Sequence, residues 1–132
     1  MKQRIKRLLG SKNLLYLGIF YTLFITFLLL FPTIDAPKIG VPSFDKVGHV
    51  CVFGILVVIW LLFILLKTEG NRAKSIGVVL IVFFYGIIIE VLQELFFQSR
   101  TADGWDVLAN SVGILLGWLI FQKIKKVFFL KS

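Results

Sequence analysis

Four long apolar blocks separated by short polar stretches restrict this chain to a bilayer-spanning fold. Of its 132 residues, 58% are hydrophobic. A soluble domain of this size leaves too much surface exposed to hide that fraction. The expected architecture is all-α: a polytopic membrane protein with a four-transmembrane-helix bundle and both termini cytoplasmic. Spans are predicted at about 13–31, 47–66, 75–97 and 106–121, within a single domain covering 1–132. The first block also invites a cleaved signal peptide, but it is longer than a usual signal core and no A-x-A-like site follows.

The basic residues set the expected orientation. The net charge is +8. Five cations (Lys2, Arg4, Lys6, Arg7, Lys12) precede the first block, three (Lys67, Arg72, Lys74) separate the second from the third, and four (Lys123, Lys125, Lys126, Lys131) follow the last. Twelve of the 15 Lys and Arg thus fall in alternate loops, which the positive-inside rule assigns to the cytoplasm. The basicity is topological, and no nucleic-acid-binding module is visible. All three prolines (Pro32, Pro37, Pro42) lie between the first two spans, in an expected external loop. Asp45 is placed to cap the second span, and Glu69, Gly70 and Asn71 suit the turn after it. The lone cysteine, Cys51, excludes an intrachain disulfide and a cysteine-based metal site.

The acidic residues carry the functional signal. Glu90 and Glu94 interrupt an apolar span, and a carboxylate there costs about 2.5–3.5 kcal/mol by insertion scales. Such a group should face protein or water. Glu90, Gln93 and Glu94 share one helix face by their i, i+3, i+4 spacing. His49 lies about one turn into the second span and Asn110 about one turn into the fourth. Asp45 pairs with His49, and Asp106 with Asn110, at i, i+4. Polar groups from three helices therefore fall in one layer, with Lys46 and Arg100 at its rim. Mutual satisfaction would account for any one of them, since interhelical polar contacts are ordinary adhesion in membranes. Their arrival at one depth favours a site. Gly113 and Gly117 form a G-x-x-x-G roughly in line with Asp106 and Asn110, which predicts close helix approach inside the bundle.

These residues also carry a family likeness. The chain resembles the VanZ-like family, named for a teicoplanin-resistance protein of Gram-positive bacteria. The motifs are Asp45-Lys46-x-x-His49, Glu90-x-x-Gln93, and Arg100-x5-Asp106-x3-Asn110-x2-Gly113-x3-Gly117, within residues 44–118. Val50 and Phe53 stand where an aromatic and a tyrosine are frequent; neither touches the polar set. The resemblance implies an integral protein of the cell envelope, in the membrane of a Gram-positive bacterium, with an effect on glycopeptide (teicoplanin) susceptibility. It supplies no reaction.

Three function classes follow. The first is a binding protein whose outer polar pocket holds a cell-wall- or lipid-related ligand. Its pocket is Asp45, Lys46, His49, Glu90, Gln93, Arg100, Asp106 and Asn110; its expected partners are membrane lipid and a lipid-linked cell-wall precursor, with self-association left open. Three outer cations against six outer acids leave a formal −3, so a phosphate needs protonated, paired or metal-bridged acids. The second class is a membrane enzyme using His49 and carboxylates as acid and base, with Arg100 steadying negative charge. No metal or cofactor is assigned: there is no H-E-x-x-H and no second histidine, although His/Asp/Glu or oxygen-rich coordination stays open. The third is a transporter subunit, for which four spans are few and no inverted repeat is visible.

Overall fold

The structure, a computed structural model, describes residues 10–30, 43–96 and 104–129. Four helices follow one another among the described residues: α1 (Ser11–Leu30), α2 (Ser43–Thr68), α3 (Arg72–Phe96) and α4 (Gly104–Ile124), with a π-helical turn at Lys125–Phe129. Each is long and apolar enough to cross a bilayer, and no strand occurs among the described residues. The proline-containing segment and most of the 98–105 loop lie outside the described residues.

The helices extend past the apolar blocks at most ends. α2 begins at Ser43, which places Asp45 in its first turn rather than at its cap. A helix loses nothing by continuing into the polar interface, where acids near its N-terminus complement the dipole. The α2–α3 turn follows expectation. Glu69 and Gly70 adopt positive φ (55° and 85°), and Asn71 caps α3 by accepting from the Lys74 amide through its side-chain oxygen at 3.3 Å.

α2 is the central helix, packing on α1, α3 and α4, most extensively on α4. Lipid offers no hydrophobic drive between helices, so their approach depends on shape and hydrogen bonds. The α2–α4 seam is built on shape. A Cβ on Gly113 would run into the Val50 carbonyl oxygen, and one on Gly117 into Val57 and the Gly54 backbone. The pair therefore faces the interior, against α2. Around it, Phe53, Leu56, Val57, Leu61, Ile114 and Phe121 are fully or almost fully buried.

α1 is held differently, and a smaller share of it is buried than of any other helix. Tyr21 Oη donates to the Val52 carbonyl at 2.9 Å, and Trp60 Nε1 donates to Thr22 Oγ1 at 3.1 Å. Thr26 Oγ1 donates to the Thr22 carbonyl at 2.7 Å and lies 2.6 Å from Tyr85 Oη, which then supplies the donor hydrogen. Phe20, Phe24 and Phe27 face outward, as lipid-facing side chains should.

Candidate functional site

Three helix ends meet at one end of the bundle: the N-terminal parts of α2 and α4 and the C-terminal part of α3. His49 and Asn110 are each the seventh residue of their helices, so the tight α2–α4 seam brings them level. His49 Nδ1 lies 2.9 Å from Asn110 Oδ1. An amide oxygen can only accept, so Nδ1 carries the proton in this contact. One turn nearer the end, Lys46 Nζ donates to Asp106 Oδ1 at 3.0 Å, bridging the same two helices. The side chains of this pair are 32% and 16% exposed, which puts it at the rim of the site.

Glu90 enters from α3 and is buried, as are His49 and Asn110. One ligand-capable atom from each of His49, Glu90 and Asp106 lies within 4.8 Å of the other two. Bringing two carboxylates and an imidazole together out of water is costly unless charges are compensated. Lys46 supplies one compensating charge. Asn110 contributes a further feature: its Nδ2 is buried and has no hydrogen-bond partner among the described residues. A buried donor left unmade costs about 1–3 kcal/mol, so it marks a place where an acceptor belongs.

Gly86, one turn before Glu90 on the same face of α3, creates the space for this arrangement. A Cβ there would stand 3.0 Å from Phe53 Cε1 and 3.2 Å from Asn110 Nδ2. Phe53 is completely buried and borders Gly86. The sequence reading passed over Gly86; its signal was spacing, since it is four residues from Glu90 in a face otherwise lined by large side chains.

The eight residues expected from sequence divide into groups. Lys46, His49, Glu90, Asp106 and Asn110 converge. Gln93, buried one turn further along α3, donates its Nε2 to the Leu29 carbonyl at 2.6 Å and so fastens α3 to the end of α1. Leu29 is in the last turn of α1, where carbonyls lack intrahelical partners, and Gln93 satisfies one of them. Glu94 is exposed. Arg100 and the side chain of Asp45 lie outside the described residues.

A multi-pass membrane protein, with four membrane-length helices among the described residues and ionisable residues gathered from three of them at one end, is the class this fold and site define. A family model described as VanZ/LLP1 matches residues 13–128, and the chain belongs to that family. The match takes in α1 as well as the motif-bearing helices. No curated protein and no solved structure matches the chain.

Proposed function

We propose that this protein is a cell-envelope component whose cluster of Lys46, His49, Glu90, Asp106 and Asn110 binds the polar part of a cell-wall- or lipid-related ligand. The observation that carries this reading is the unfilled donor of Asn110 beside three buried or half-buried ionisable side chains. Groups that served only to hold helices together would saturate one another. Topology supports an outward-facing site. With the Lys- and Arg-rich loops cytoplasmic, both termini are inside and the cluster lies in the outer half of the bilayer. The resemblance to a family named for a teicoplanin-resistance protein makes an effect on glycopeptide susceptibility the physiological form this binding would take in the membrane of a Gram-positive cell.

A second reading has one specific observation in its favour. Asn110 holds the His49 ring through Nδ1, and one ring nitrogen lies within 4.8 Å of an oxygen of each of two carboxylates, a set of groups that general acid–base chemistry on a lipid-linked substrate can use.

Thermal unfolding in nanodiscs tests the binding reading. The wild type is heated with phosphatidylglycerol, with a polyprenyl phosphate and with neither, alongside Glu90→Gln and His49→Ala. A ligand bound only by the folded state raises apparent stability. The expected result is a rise in wild type that both variants lose while keeping their helix content. Equal responses in all three, or two variants merely less stable, would reduce the cluster to adhesion. Turnover of the lipid that stops in His49→Ala would favour the enzyme.

A further inference from the structure

We propose that His49, Glu90 and Asp106 form a divalent-cation site of the Zn2+ or Mn2+ type, with one coordination position open to the ligand. The inference rests on reading this cluster as a site and names what the site holds. The donor set is one imidazole nitrogen and two carboxylates, contributed by α2, α3 and α4. A mixed nitrogen–oxygen set suits Zn2+ or Mn2+ better than Mg2+ or Ca2+, which prefer oxygen alone. Three protein ligands leave a fourth position free, as in catalytic rather than structural metal sites.

The geometry is close to what coordination needs. Ligand atoms around a tetrahedral ion with bonds of about 2.0–2.2 Å stand about 3.4 Å apart. The three here lie within 4.8 Å of one another, so side-chain rotation would close the set without moving a helix. Asp106 gives one oxygen to Lys46 and retains the other. His49 is already oriented from behind, because its Nδ1–H points at Asn110 Oδ1 and directs Nε2 away from it. Metal-bound histidines characteristically donate their other ring N–H in this way.

Two further observations point to an ion carrying a ligand. Asn110 is 3% exposed, and its Nδ2 lies near Gly86, one turn along α3 from Glu90. That donor cannot touch a cation but can hold an oxygen bound to one, from water or from an anionic headgroup. The charge balance is the second. Three cations and six acids occupy this side of the chain by the topology above. A divalent cation offsets the charges of Glu90 and Asp106 and brings the formal balance of this side from −3 to −1. A phosphate or carboxylate, which the bare acids would repel, then meets a cation between them.

The test uses the full chain in nanodiscs, stripped with a chelator, offered Zn2+, Mn2+ or Mg2+, and desalted before metal analysis. Co2+ serves as a coloured substitute whose visible bands report coordination. Wild type is expected to retain about one Zn2+ or Mn2+ per chain and no Mg2+, and to show the Co2+ bands. His49→Ala and Glu90→Gln should lose both. Asn110→Leu should bind about 10–100-fold more weakly, the usual cost of removing a supporting hydrogen bond. Asp106→His should keep Co2+ and shift its bands, because nitrogen replaces oxygen; a purely structural role gives no such shift, and this variant stands even if His49→Ala fails to fold. Wild type that retains no metal, or retains it equally in His49→Ala and Glu90→Gln, overturns the proposal. Lipid-induced stabilisation lost in His49→Ala, with no metal in wild type, overturns the cation and leaves the ligand site. Metal binding without any lipid effect does the reverse.

Discussion

Two polar regions inside the apolar bundle invite comparison. Along α1, Tyr21, Thr22, Thr26, Trp60 and Tyr85 form neutral hydrogen bonds to each other and to backbone carbonyls. At the α2–α3–α4 end, the groups are Lys46, His49, Glu90, Asp106 and Asn110, mostly ionisable, with a donor still to be met. In lipid, a neutral bond already made has only one use, which is to hold a helix in place. Each such bond contributes about 0.6–2 kcal/mol. An ionisable group costs more to insert than adhesion returns. Where several ionisable groups share one spot, adhesion alone is an expensive use for them, and the binding proposed above gives them another.

The largest effect should come from the seam on which the ionisable region hangs. Gly113→Leu would drive a side chain into the Val50 carbonyl, one residue from His49. Overpacking costs about 1–3 kcal/mol, and a backbone obstacle puts this case at the upper end. The melting temperature in nanodiscs should fall, and Zn2+ retention should fall with it. Gly77→Leu is the matched control, since a Cβ there meets nothing within 4 Å. It should leave both unchanged. If Gly113→Leu kept its metal, the cluster would not depend on the α2–α4 approach.

Next in size is Lys46→Met. Removing a positive charge beside Asp106 frees the second carboxylate oxygen and deletes a repulsive neighbour of the cation. Zn2+ should bind more tightly, by on the order of tenfold for a half-exposed charge at this range. Titration against a competing chelator measures it. Weaker binding would mean that Lys46 holds Asp106 in the position coordination needs, and that adhesion and function are not separable there.

The sequence disclosed the ionisable region far better than the neutral one, and the physical reason is cost. Glu90 stands out in an apolar run because a carboxylate in lipid demands an explanation, and helical spacing puts His49 and Asn110 at the same depth. Thr22 and Thr26 raise no such demand. Each hydroxyl bonds the carbonyl four residues earlier in its own helix, so nothing in the sequence indicates that Trp60 or Tyr85 also needs it. Gln93 was legible as polar but not as to its partner. Its spacing groups it with Glu90, yet a residue three positions on is rotated by about 60° around the helix, enough to reach a different neighbour. Which neighbour depends on where α1 ends, and that is set by packing. The spans were readable from length, while their ends were not, because a helix entering the interface meets no penalty that composition records.

Gln93→Leu therefore separates the two regions on a single helix. It leaves the Leu29 carbonyl without its amide and should lower stability by about 1–2 kcal/mol. Metal retention should be unchanged, although Gln93 is only three residues from Glu90. A loss of metal in a variant that is still helical would return Gln93 to the site, where its spacing first placed it.

Thr26→Val should have the smallest effect and makes the sharpest test of what neutral bonds in lipid do. Valine keeps the shape of threonine and removes the oxygen that accepts from Tyr85 and donates to the Thr22 carbonyl. The Thr22 carbonyl keeps its place in the helix ladder, and Tyr85 loses one acceptor while its ring still packs against Phe53, with centroids 6.0 Å apart. The net cost should be about 0.6 kcal/mol, the average for such bonds between membrane helices. Equilibrium unfolding resolves this if wild type and variant are measured side by side. Zn2+ affinity should not move, because the hydrogen bonds of Thr26 go to the Thr22 carbonyl and Tyr85 and to no residue of the cluster. Phe53 and Asn110 both border Gly86. A measurable change in Zn2+ affinity would therefore mean that α1 tunes the site through that aromatic pair, and the two polar regions would be one mechanical unit.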